Sequence, residues 1–310
     1  MRAMPQAIRW VLAGSIVIGW LAGDLTAQAG GGAQGVSPAS QQRAARLQKE
    51  RDNVELQTAV PPFKAFDNLY YVGVGYVSSW LLTTDHGLIL IDTLEDRYVD
   101  RLLDNIRKVG FDPRDIKYVV ITHGHYDHVG GVARLQEMYG ARVVMMEGDF
   151  NLFNGIGGAK PEARAPRRDM IVKDGGTLTL GHTTLRLAWH PGHTPGGLSA
   201  GFTVYDGGTP YEAYIFAGAA PGQGVPATEQ FLATINRLEQ IQERVQVRVV
   251  SHPFMDPTFW DRVDRLAARR PGDPHPFVAP REFGTWIAEL KQVGITRLAD
   301  AKAKAASSAN

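Results

Sequence analysis

The sequence predicts an α+β fold in which two β-sheets pack face to face and helices cover their outer surfaces. From about residue 63 onward, short apolar runs separated by glycine-containing turns are typical of strands, and amphipathic runs between them are typical of helices. A stretch rich in glycine, proline and arginine, residues 155–168, divides the strands into two sets. The 310 residues, 44% of them hydrophobic, show no short repeat and suffice for one large core.

The first set of strands is interrupted by two predicted helices. Asp96–Val109 carries apolar residues at helical spacing and is followed by Gly110, and Val129–Tyr139 is the second helix. Residues 117–122 are almost continuously apolar, which indicates a strand buried on both faces. The predicted strands of this set are Leu69–Val72, Val77–Thr83, Gly87–Asp92, Lys117–Thr122 and Ala141–Met146.

The second set of strands follows the glycine-rich and arginine-rich stretch. A helix, Thr228–Glu243, precedes its last strand, and two more helices, Pro257–Ala268 and Arg281–Gln292, come after it. The predicted strands of this set are Met170–Val172, Thr177–Leu180, Thr184–Trp189, Gly197–Val204, Ala213–Ala217 and Val245–Val250.

Residues 1–29 have the features of a cleavable signal peptide. Two arginines precede an apolar run of about 14 residues, and Ala27-Gln28-Ala29 offers an A-x-A cleavage site. The run is shorter than the ~20 residues needed to cross a bilayer, and the chain has no cysteine to carry a lipid. We therefore expect a periplasmic or secreted mature protein that begins near Gly30 and has no membrane span.

Residues 30–62 form a predicted leader before the folded domain, residues 63–310. Gly30–Ser40 is rich in glycine, serine, alanine and glutamine, and Ser40–Thr58 has the pattern of a weakly amphipathic helix. We expect this helix either to lie against the domain or to be partly disordered.

Charge and cysteine content narrow the classes of function. The net charge is +1, and loss of residues 1–29, with two arginines and one aspartate, would bring it to 0. No long basic run suggests a nucleic-acid partner. Because the chain has no cysteine, it forms no disulfides. We expect a monomer that acts on a small molecule.

The stretch ITHGHYDHVGG, residues 121–131, carries three of the nine histidines. It lies between a buried strand and a helix, so its polar side chains follow the carboxyl end of a strand, where α/β folds place binding sites. His123 and His125 point the same way in extended backbone, and the turn into the helix brings Asp127 and His128 to the same cavity. Groups this close repel one another and lose hydration unless a cation neutralises them. The motif therefore predicts a metal site.

Two further histidines lie in loops that follow strands of the second set. His193 lies in PGHTPGG, residues 191–197, and His252 lies in SHP, residues 251–253. A catalytic zinc site takes nitrogen and oxygen ligands and keeps a position for water. Both histidines are placed where a further ligand is expected.

Four motifs together resemble the metallo-β-lactamase superfamily in their order and spacing. They are LILIDT (residues 88–93), HGHYDH (123–128), PGHTPGG (191–197) and SHP (251–253). The resemblance extends from about Phe63 to Gln292. It implies a four-layer αββα sandwich, the metallo-β-lactamase fold, with a two-zinc site at one edge of the sheets.

The family pattern also implies which residues bind the two ions. The implied ligands are His123, His125 and His193 for one zinc ion and Asp127, His128 and His252 for the other. A zinc-bound water has a pKa near 7, so that hydroxide is present at neutral pH, and zinc can polarise a carbonyl oxygen. The resemblance makes Asp127 the catalytic residue that orients this hydroxide, and no serine or cysteine nucleophile is required.

Two more residues are expected to support the site without binding metal. Asp92, in LILIDT, matches an aspartate of the family that lies behind the metal loop. The alternative for Asp92 is a cap of the turn at the end of its strand. His190 is expected to be a supporting or wall residue, because the family pattern gives the ligand role to His193.

The segment 214–222 distinguishes this sequence from many hydrolases of the superfamily. Thioesterases of the glyoxalase II type, lactonases and nucleases carry an aspartate that bridges both zinc ions, and the matching position here is near Ala219. The third subclass of the true metallo-β-lactamases also lacks this aspartate, uses the ligands given above and is secreted. Further segments similar to that subclass are residues 67–73, 105–128, 174–185, 219–222 and 274–280. The resemblance therefore implies hydrolysis of the β-lactam amide, and hence antibiotic resistance.

Other functions stay open beside this one. A zinc hydrolase of another ester, lactone, thioester or phosphoester is one alternative, and a metal-binding homologue with little turnover is a second, motivated by the missing polar side chain near Ala219. Arg164, Arg167 and Arg168 could bind a substrate carboxylate through charge-assisted hydrogen bonds. The alternative for these three is a solvated basic loop.

Overall fold

The computed structural model describes residues 37–153 and 164–308. The predicted signal peptide, residues 1–29, and the first part of the predicted leader lie outside these ranges. Within them, no helix is both long enough and apolar enough to cross a membrane.

The first sheet contains strands β1 to β7 in sequence order. Strands β1 to β4 pair in antiparallel fashion and β4 to β7 pair in parallel. Parallel strands need crossover connections, and α3 (Val99–Lys108) and α5 (Val132–Tyr139) supply two of them. The strands are β1 (Phe63–Phe66), β2 (Leu69–Tyr71), β3 (Trp80–Thr84), β4 (Gly87–Ile91), β5 (Ile116–Val120), β6 (Arg142–Met146) and β7 (Met170–Val172).

The second sheet has the strand order β12-β11-β10-β9-β8, with β12 parallel to β11 and the other neighbours antiparallel. Strand β11 begins four residues before the predicted Ala213, because Gly207 and Gly208 have φ values of 55° and 81° and form a tight hairpin turn. The strands are β8 (Thr177–Leu180), β9 (Thr183–Trp189), β10 (Leu198–Asp206), β11 (Thr209–Ile215) and β12 (Val247–Val249).

The two sheets bury a shared apolar layer between them. Leu82 and Val120 of the first sheet and Phe202 and Ile215 of the second belong to one cluster of buried side chains. Each is at most 1% exposed. Alternation along the strands sends the other side chains outward, where helices cover them.

Helices cover both outer faces of the sandwich. On the first sheet, Leu102 of α3 and Val132 of α5 pack with the outward residues of β4 and β5. On the second sheet, Phe231 of α7 (Gly224–Glu239) packs with Ile287 of α9 (Glu282–Ser308). The predicted four-layer αββα sandwich is confirmed.

The predicted helix at residues 40–58 is two helices, α1 (Pro38–Lys49) and α2 (Val54–Thr58). Asn53 starts the second helix, because its side chain accepts a hydrogen bond from Leu56 N at 3.1 Å. Leu47 is 4% exposed and joins the core between the sheets. Of the two expectations for this segment, packing against the domain is the one that the structure shows.

Two further differences from the sequence prediction lie close to the site. Strand β3 begins at Trp80, not Val77, because Ser78 N turns away and donates to Ser251 O at 2.9 Å. After β6, residues Glu147–Phe153 form a helix, α6, that the sequence pattern did not predict. The remaining helices are α4 (Tyr126–Val129) and α8 (Phe259–Ala267).

Candidate metal centre

The end of β5 joins the two sheets and starts the histidine-rich loop. Thr122 O accepts a hydrogen bond from Leu198 N of β10 at 2.6 Å, and Thr122 N and Oγ1 donate to Asp92, each at 2.8 Å. The extended residues 123–125 follow, and α4 then turns the chain so that residues 127 and 128 face the same cavity. Strand pairing therefore places the histidine-rich loop at the carboxyl end of β5, as the sequence pattern predicted.

His123, His125 and His193 form what we name the first cluster. Their possible ligand atoms all lie within 4.8 Å of one another. His193 Nε2 is 3.1 Å from His125 Nδ1, and His123 Nε2 is buried with no hydrogen-bond partner among the described residues. Three ring nitrogens from two separate loops therefore lie close together.

Asp127, His128 and His252 form what we name the second cluster, and their possible ligand atoms also lie within 4.8 Å of one another. His128 Nε2 is 3.0 Å from His252 Nε2. Asp127 Oδ2 lies 3.7 Å from the first of these nitrogens and 3.5 Å from the second. The structure therefore brings together all six residues that the resemblance implied as ligands, in the same two sets.

The hydrogen bonds behind these rings decide which nitrogen faces the cavity. His252 Nδ1 donates to Tyr76 O at 2.9 Å, and His128 Nδ1 donates to the Asp92 carboxylate at 2.8 Å. A neutral imidazole carries one N–H, so the two Nε2 atoms facing each other at 3.0 Å both present lone pairs. Only a cation between them, a proton or a metal ion, makes this contact favourable. The donor sets fit metal ions.

At five of the six cluster residues electrostatics favour the protonation state that binds metal, and His128 is the exception. Burial lowers the pKa of His123 well below its ordinary value, that of His193 to about 3 and that of His252 to about 4. Burial alone would raise the pKa of Asp127, but the neighbouring histidines lower it to about 2. Burial opposes protonation of His128, yet the Asp127 and Asp92 carboxylates raise its pKa overall. Neutral imidazoles and an ionised carboxylate are the forms that act as ligands.

Asp92 lies directly behind the second cluster, where it was expected. It is 1% exposed, and besides His128 its carboxylate accepts two hydrogen bonds from Thr122. Its φ of 62° lies in the left-handed region, which a non-glycine residue rarely adopts. Such strain is found where the surroundings hold a residue in place for function, so this backbone supports the predicted role of Asp92.

The loop between β2 and β3 supports His252, a contact that the sequence pattern did not predict. Tyr76 O accepts from His252, and Tyr76 Oη donates to Glu95 at 2.5 Å. Next to it, Gly75 N donates to Gln57 O of α2 at 3.1 Å, and a Cβ on Gly75 would lie 2.6 Å from Gln57 Oε1. The helices that were assigned to a leader therefore pack against the loop that holds the second cluster.

His190 belongs to neither cluster. Its side chain is buried between Tyr214 and Phe216, and His190 Nδ1 is 2.9 Å from Ser199 Oγ. Residues 197–201 read G-x-S-x-G, the letters of a serine-hydrolase elbow. Ser199, however, lies within β10 at 0% exposure and accepts a hydrogen bond from Ala217 N at 3.0 Å. This Ser–His pair is a buried structural contact and cannot reach a substrate.

Because His190 is buried and neutral, the stability of the folded protein is expected to depend on pH. Burial, helped by Arg237, lowers the pKa of His190 to about 3. A histidine whose folded pKa is depressed contributes its full stability above the unfolded pKa of ~6.5, and loses it as the pH falls toward the folded value. We expect His190 alone to reduce the free energy of unfolding by about 1.4 kcal/mol between pH 7.5 and 5.5.

Urea unfolding of the metal-free protein across this pH range measures the effect. His190→Asn keeps an acceptor or donor near Ser199 and removes the titrating group, so its stability should change less with pH than that of the unsubstituted protein. Equal slopes for the two proteins would contradict a buried neutral His190.

The three candidate substrate-binding arginines lie around α5 and α6. Arg164 forms an ion pair with Glu137, with an N–O distance of 2.6 Å, and Arg168 forms one with Glu147. For the guanidinium of Arg167, the described residues show no ion pair, and its backbone N donates to a glutamine of α5. Two of the three cations are therefore already neutralised, which favours the solvated-loop alternative for them.

The turn after β11 packs against the first cluster. His193 Nδ1 donates to Ala220 O at 2.7 Å, and a Cβ on Gly218 would collide with the His193 ring. Ala219 adds no donor atom, and the only carboxylate in the two clusters found among the described residues is Asp127. This part of the site thus offers backbone contacts to His193 and no bridging ligand.

Comparison with solved structures identifies the fold and its neighbours. BJP-1, a subclass B3 metallo-β-lactamase of Bradyrhizobium japonicum, is 32% identical with a TM-score of 0.71, and the match covers 79% of this chain and 96% of that one. Native FEZ-1 metallo-β-lactamase from Legionella gormanii is 26% identical with a TM-score of 0.70, over 78% of this chain and 97% of that one.

Curated sequences give a different set of relatives. A hydroxyacylglutathione hydrolase of Idiomarina loihiensis is 28% identical over 198 residues, which are 61% of this chain and 63% of the relative. One of Pseudomonas putida (strain W619) is 31% identical over 135 residues, 42% of this chain and 45% of the relative. The chain thus spans less than two thirds of the length of these relatives.

A family model described as the metallo-beta-lactamase superfamily matches residues 72–209, the part that carries five of the six cluster residues. The layer order, the two donor clusters and the long structural matches agree with it. Together they show that the chain belongs to the metallo-β-lactamase superfamily of metal-binding hydrolases.

Proposed function

We propose that this protein is a two-zinc hydrolase that opens the amide bond of β-lactams. The observation that carries the proposal is the pair of donor clusters at the carboxyl end of β5, with nitrogen atoms aimed at one another and, among the described residues, no bridging carboxylate. The first cluster would hold one zinc ion and the second cluster the other. Imidazole nitrogen and carboxylate oxygen in sets of three are the donors that catalytic zinc sites use.

The protein's own groups have separate roles in this reaction. When bound, zinc supplies a nucleophile at neutral pH by lowering the pKa of coordinated water to about 7, and it polarises a carbonyl oxygen. Asp127, with a pKa lowered to about 2, stays ionised and can accept a hydrogen bond from the attacking water at Oδ2. Asp92 keeps the Nδ1 proton of His128 in place, so that Nε2 faces the site.

The choice of a β-lactam is supported by two observations. The structures with long matches include the subclass B3 β-lactamase BJP-1. The turn that could supply a bridging aspartate reads Ala217-Gly-Ala-Ala220; its Ala220 O accepts a hydrogen bond from His193, and its Gly218 lies against the His193 ring. Such a site in a secreted protein would act on antibiotics in the periplasm, and residues 1–29 are proposed as the signal that directs it there.

A second candidate is the hydrolysis of a glutathione thioester. It is favoured by the curated relatives, which include hydroxyacylglutathione hydrolases. The bridging aspartate expected for this class is missing at Ala219, which speaks against it. A metal-binding homologue with little turnover is the third candidate, and the intact donor sets speak against that one.

Turnover by the purified, zinc-loaded mature protein tests the proposal. Penicillins, cephalosporins, carbapenems and a hydroxyacylglutathione thioester are assayed side by side at neutral pH. We expect a kcat/KM of at least ~10⁴ M⁻¹s⁻¹ for one or more β-lactams, the lower end of ordinary enzymes. A chelator should abolish this activity and added zinc should restore it. Two bound zinc ions with no β-lactam turnover would refute the proposed substrate, and thioester turnover would select the second candidate.

A further inference from the structure

We propose that Asp149 is a positioning residue that holds the two loops of the first cluster together. It was not among the residues singled out from the sequence. The inference rests on the proposed metal site but is independent of the substrate. It concerns how two separate loops are placed so that three imidazoles can share one ion.

Asp149 lies in the first turn of α6, directly after β6, and is 2% exposed. Its Oδ2 accepts hydrogen bonds from Gly124 N at 3.1 Å and Thr194 Oγ1 at 2.9 Å. Its Oδ1 accepts one from Gly196 N at 2.9 Å. Every one of these donors belongs to a loop that carries ligands of the first cluster.

The three donors connect both sides of the cluster. Gly124 separates His123 from His125, and Thr194 directly follows His193. A buried carboxylate must have its hydrogen bonds satisfied, and among the described residues no basic side chain forms an ion pair with Asp149. The Asp149 carboxylate therefore keeps its hydrogen bonds only while both loops hold their observed positions. Each loop is in turn held in place by its bond to Asp149.

Close packing strengthens the link between α6 and the two loops. A Cβ on Gly124 would lie 3.1 Å from Asp149 O and 3.2 Å from Asp149 Cβ. A Cβ on Gly196 would lie 2.5 Å from Asp149 N, closer than real Cβ contacts allow. Glycine at both positions lets the start of α6 lie directly against both loops. Phe150 fixes α6 in turn, because it is 0% exposed and packs in the core under the first sheet.

Asp149→Asn changes this arrangement with little change of shape. The new amide directs an NH₂ group toward hydrogen-bond donors, so at least one of the three bonds is lost and a repulsive contact replaces it. Groups that support metal ligands typically change metal affinity by ~10–100-fold. We expect zinc affinity at the first cluster to fall by about 10-fold or more, with the second cluster unchanged within about twofold.

Single-site backgrounds separate the two clusters in the experiment. His252→Ala disables the second cluster and leaves the first to be measured, and His193→Ala does the reverse. Zinc binding to the metal-free proteins is followed by competition with a chromophoric chelator, so no activity is needed. Asp149→Asn should weaken binding in the first background and leave the second unchanged.

Two sets of variants distinguish positioning from general destabilisation. Asp169→Asn removes a carboxylate that accepts from Gln136 and from Val143 N of β6, away from the clusters, and should change neither affinity. Thr194→Val should reproduce part of the Asp149→Asn loss, and Thr194→Ser, which keeps the hydroxyl, should restore binding. The two Thr194 variants also test the inference if Asp149→Asn does not fold.

The outcomes are separable from those of the proposed function. A loss of affinity confined to the first cluster, with rescue by Thr194→Ser, supports the inference even if no β-lactam is hydrolysed. Unchanged first-cluster affinity in Asp149→Asn and Thr194→Val overturns it, as does an equal loss at both clusters. If the unsubstituted first cluster does not bind zinc, both the inference and the proposed metal site are wrong.

Discussion

His123→Ala is expected to remove zinc from the first cluster and to abolish most of the hydrolytic activity. His123 is 1% exposed, and its Nε2 is buried without a hydrogen-bond partner among the described residues, a position that a bound metal ion would satisfy. Because a ligand itself is lost, the fall in kcat/KM should exceed the ~10–100-fold typical of groups that only support ligands.

Zinc content and turnover of the same preparation measure this effect. The variant should bind about one zinc ion per chain fewer than the unsubstituted protein. His86→Ala is the control, because His86 is a histidine of the β3–β4 turn whose side chain is 69% exposed. Full zinc content and full activity in His123→Ala would show that the assignment of ligands is wrong.

Glu282→Ala is expected to cause the largest loss of stability. Arg248 is stacked over the Trp286 ring at 4.8 Å and donates to Glu282 at 2.5 Å, and Arg262 donates to the same carboxylate. The side chains of the two arginines are 5% and 7% exposed. Without Glu282, Arg248 keeps only the carboxylate of Asp256, and Arg262 keeps no ion pair among the described residues. Removing one partner of a buried ion pair costs ~3–5 kcal/mol.

Urea unfolding at neutral pH checks this value, with Glu289→Ala as control. Glu289 lies on the same helix and is exposed, so its removal should change the free energy of unfolding by no more than ~0.5 kcal/mol. A loss below ~1 kcal/mol in Glu282→Ala would mean that the pair behaves like one on the surface. Such a result would contradict the inferred network between β12, α8 and α9.

The fold and the ligand positions were accessible from the sequence because their signals are local. Residues 117–122 are apolar almost without interruption and form β5, and the polar residues that follow must then lie at its carboxyl end. His193 and His252 come after strands β9 and β12 in the same way. Side-chain type and position relative to a strand are enough to place these groups at one edge.

Two of the groups that support the ligands could not be recognised in this way. Asp149 acts through residues 25 and 45–47 positions away, and Gln57 reaches the site through Gly75. No spacing in the sequence marks such contacts, because they arise when separate layers pack. The position of Asp149 soon after β6 was a weak signal of a role at the site, because β6 is parallel to β5 and ends at the same edge of the sheet.

Two sets of residues whose sequence context resembles a functional site are buried or paired in the fold. Ser199 stands in a G-x-S-x-G context, yet Ser199 and His190 are both buried and their side chains contact each other. Arg164 and Arg168 looked available to a substrate, yet each has a glutamate partner. In both cases the decisive fact is burial or pairing with a residue distant in sequence, which only the folded chain provides.

Anomalous diffraction from crystals of the zinc-loaded protein, recorded at the zinc absorption edge, tests the central claim most directly. We expect two anomalous peaks roughly 3.5–4 Å apart, the separation usual in two-metal sites. One peak should contact the ring nitrogens of the first cluster, and the other should contact the carboxylate and ring nitrogens of the second. A single peak, or peaks bound by other residues, would contradict the account.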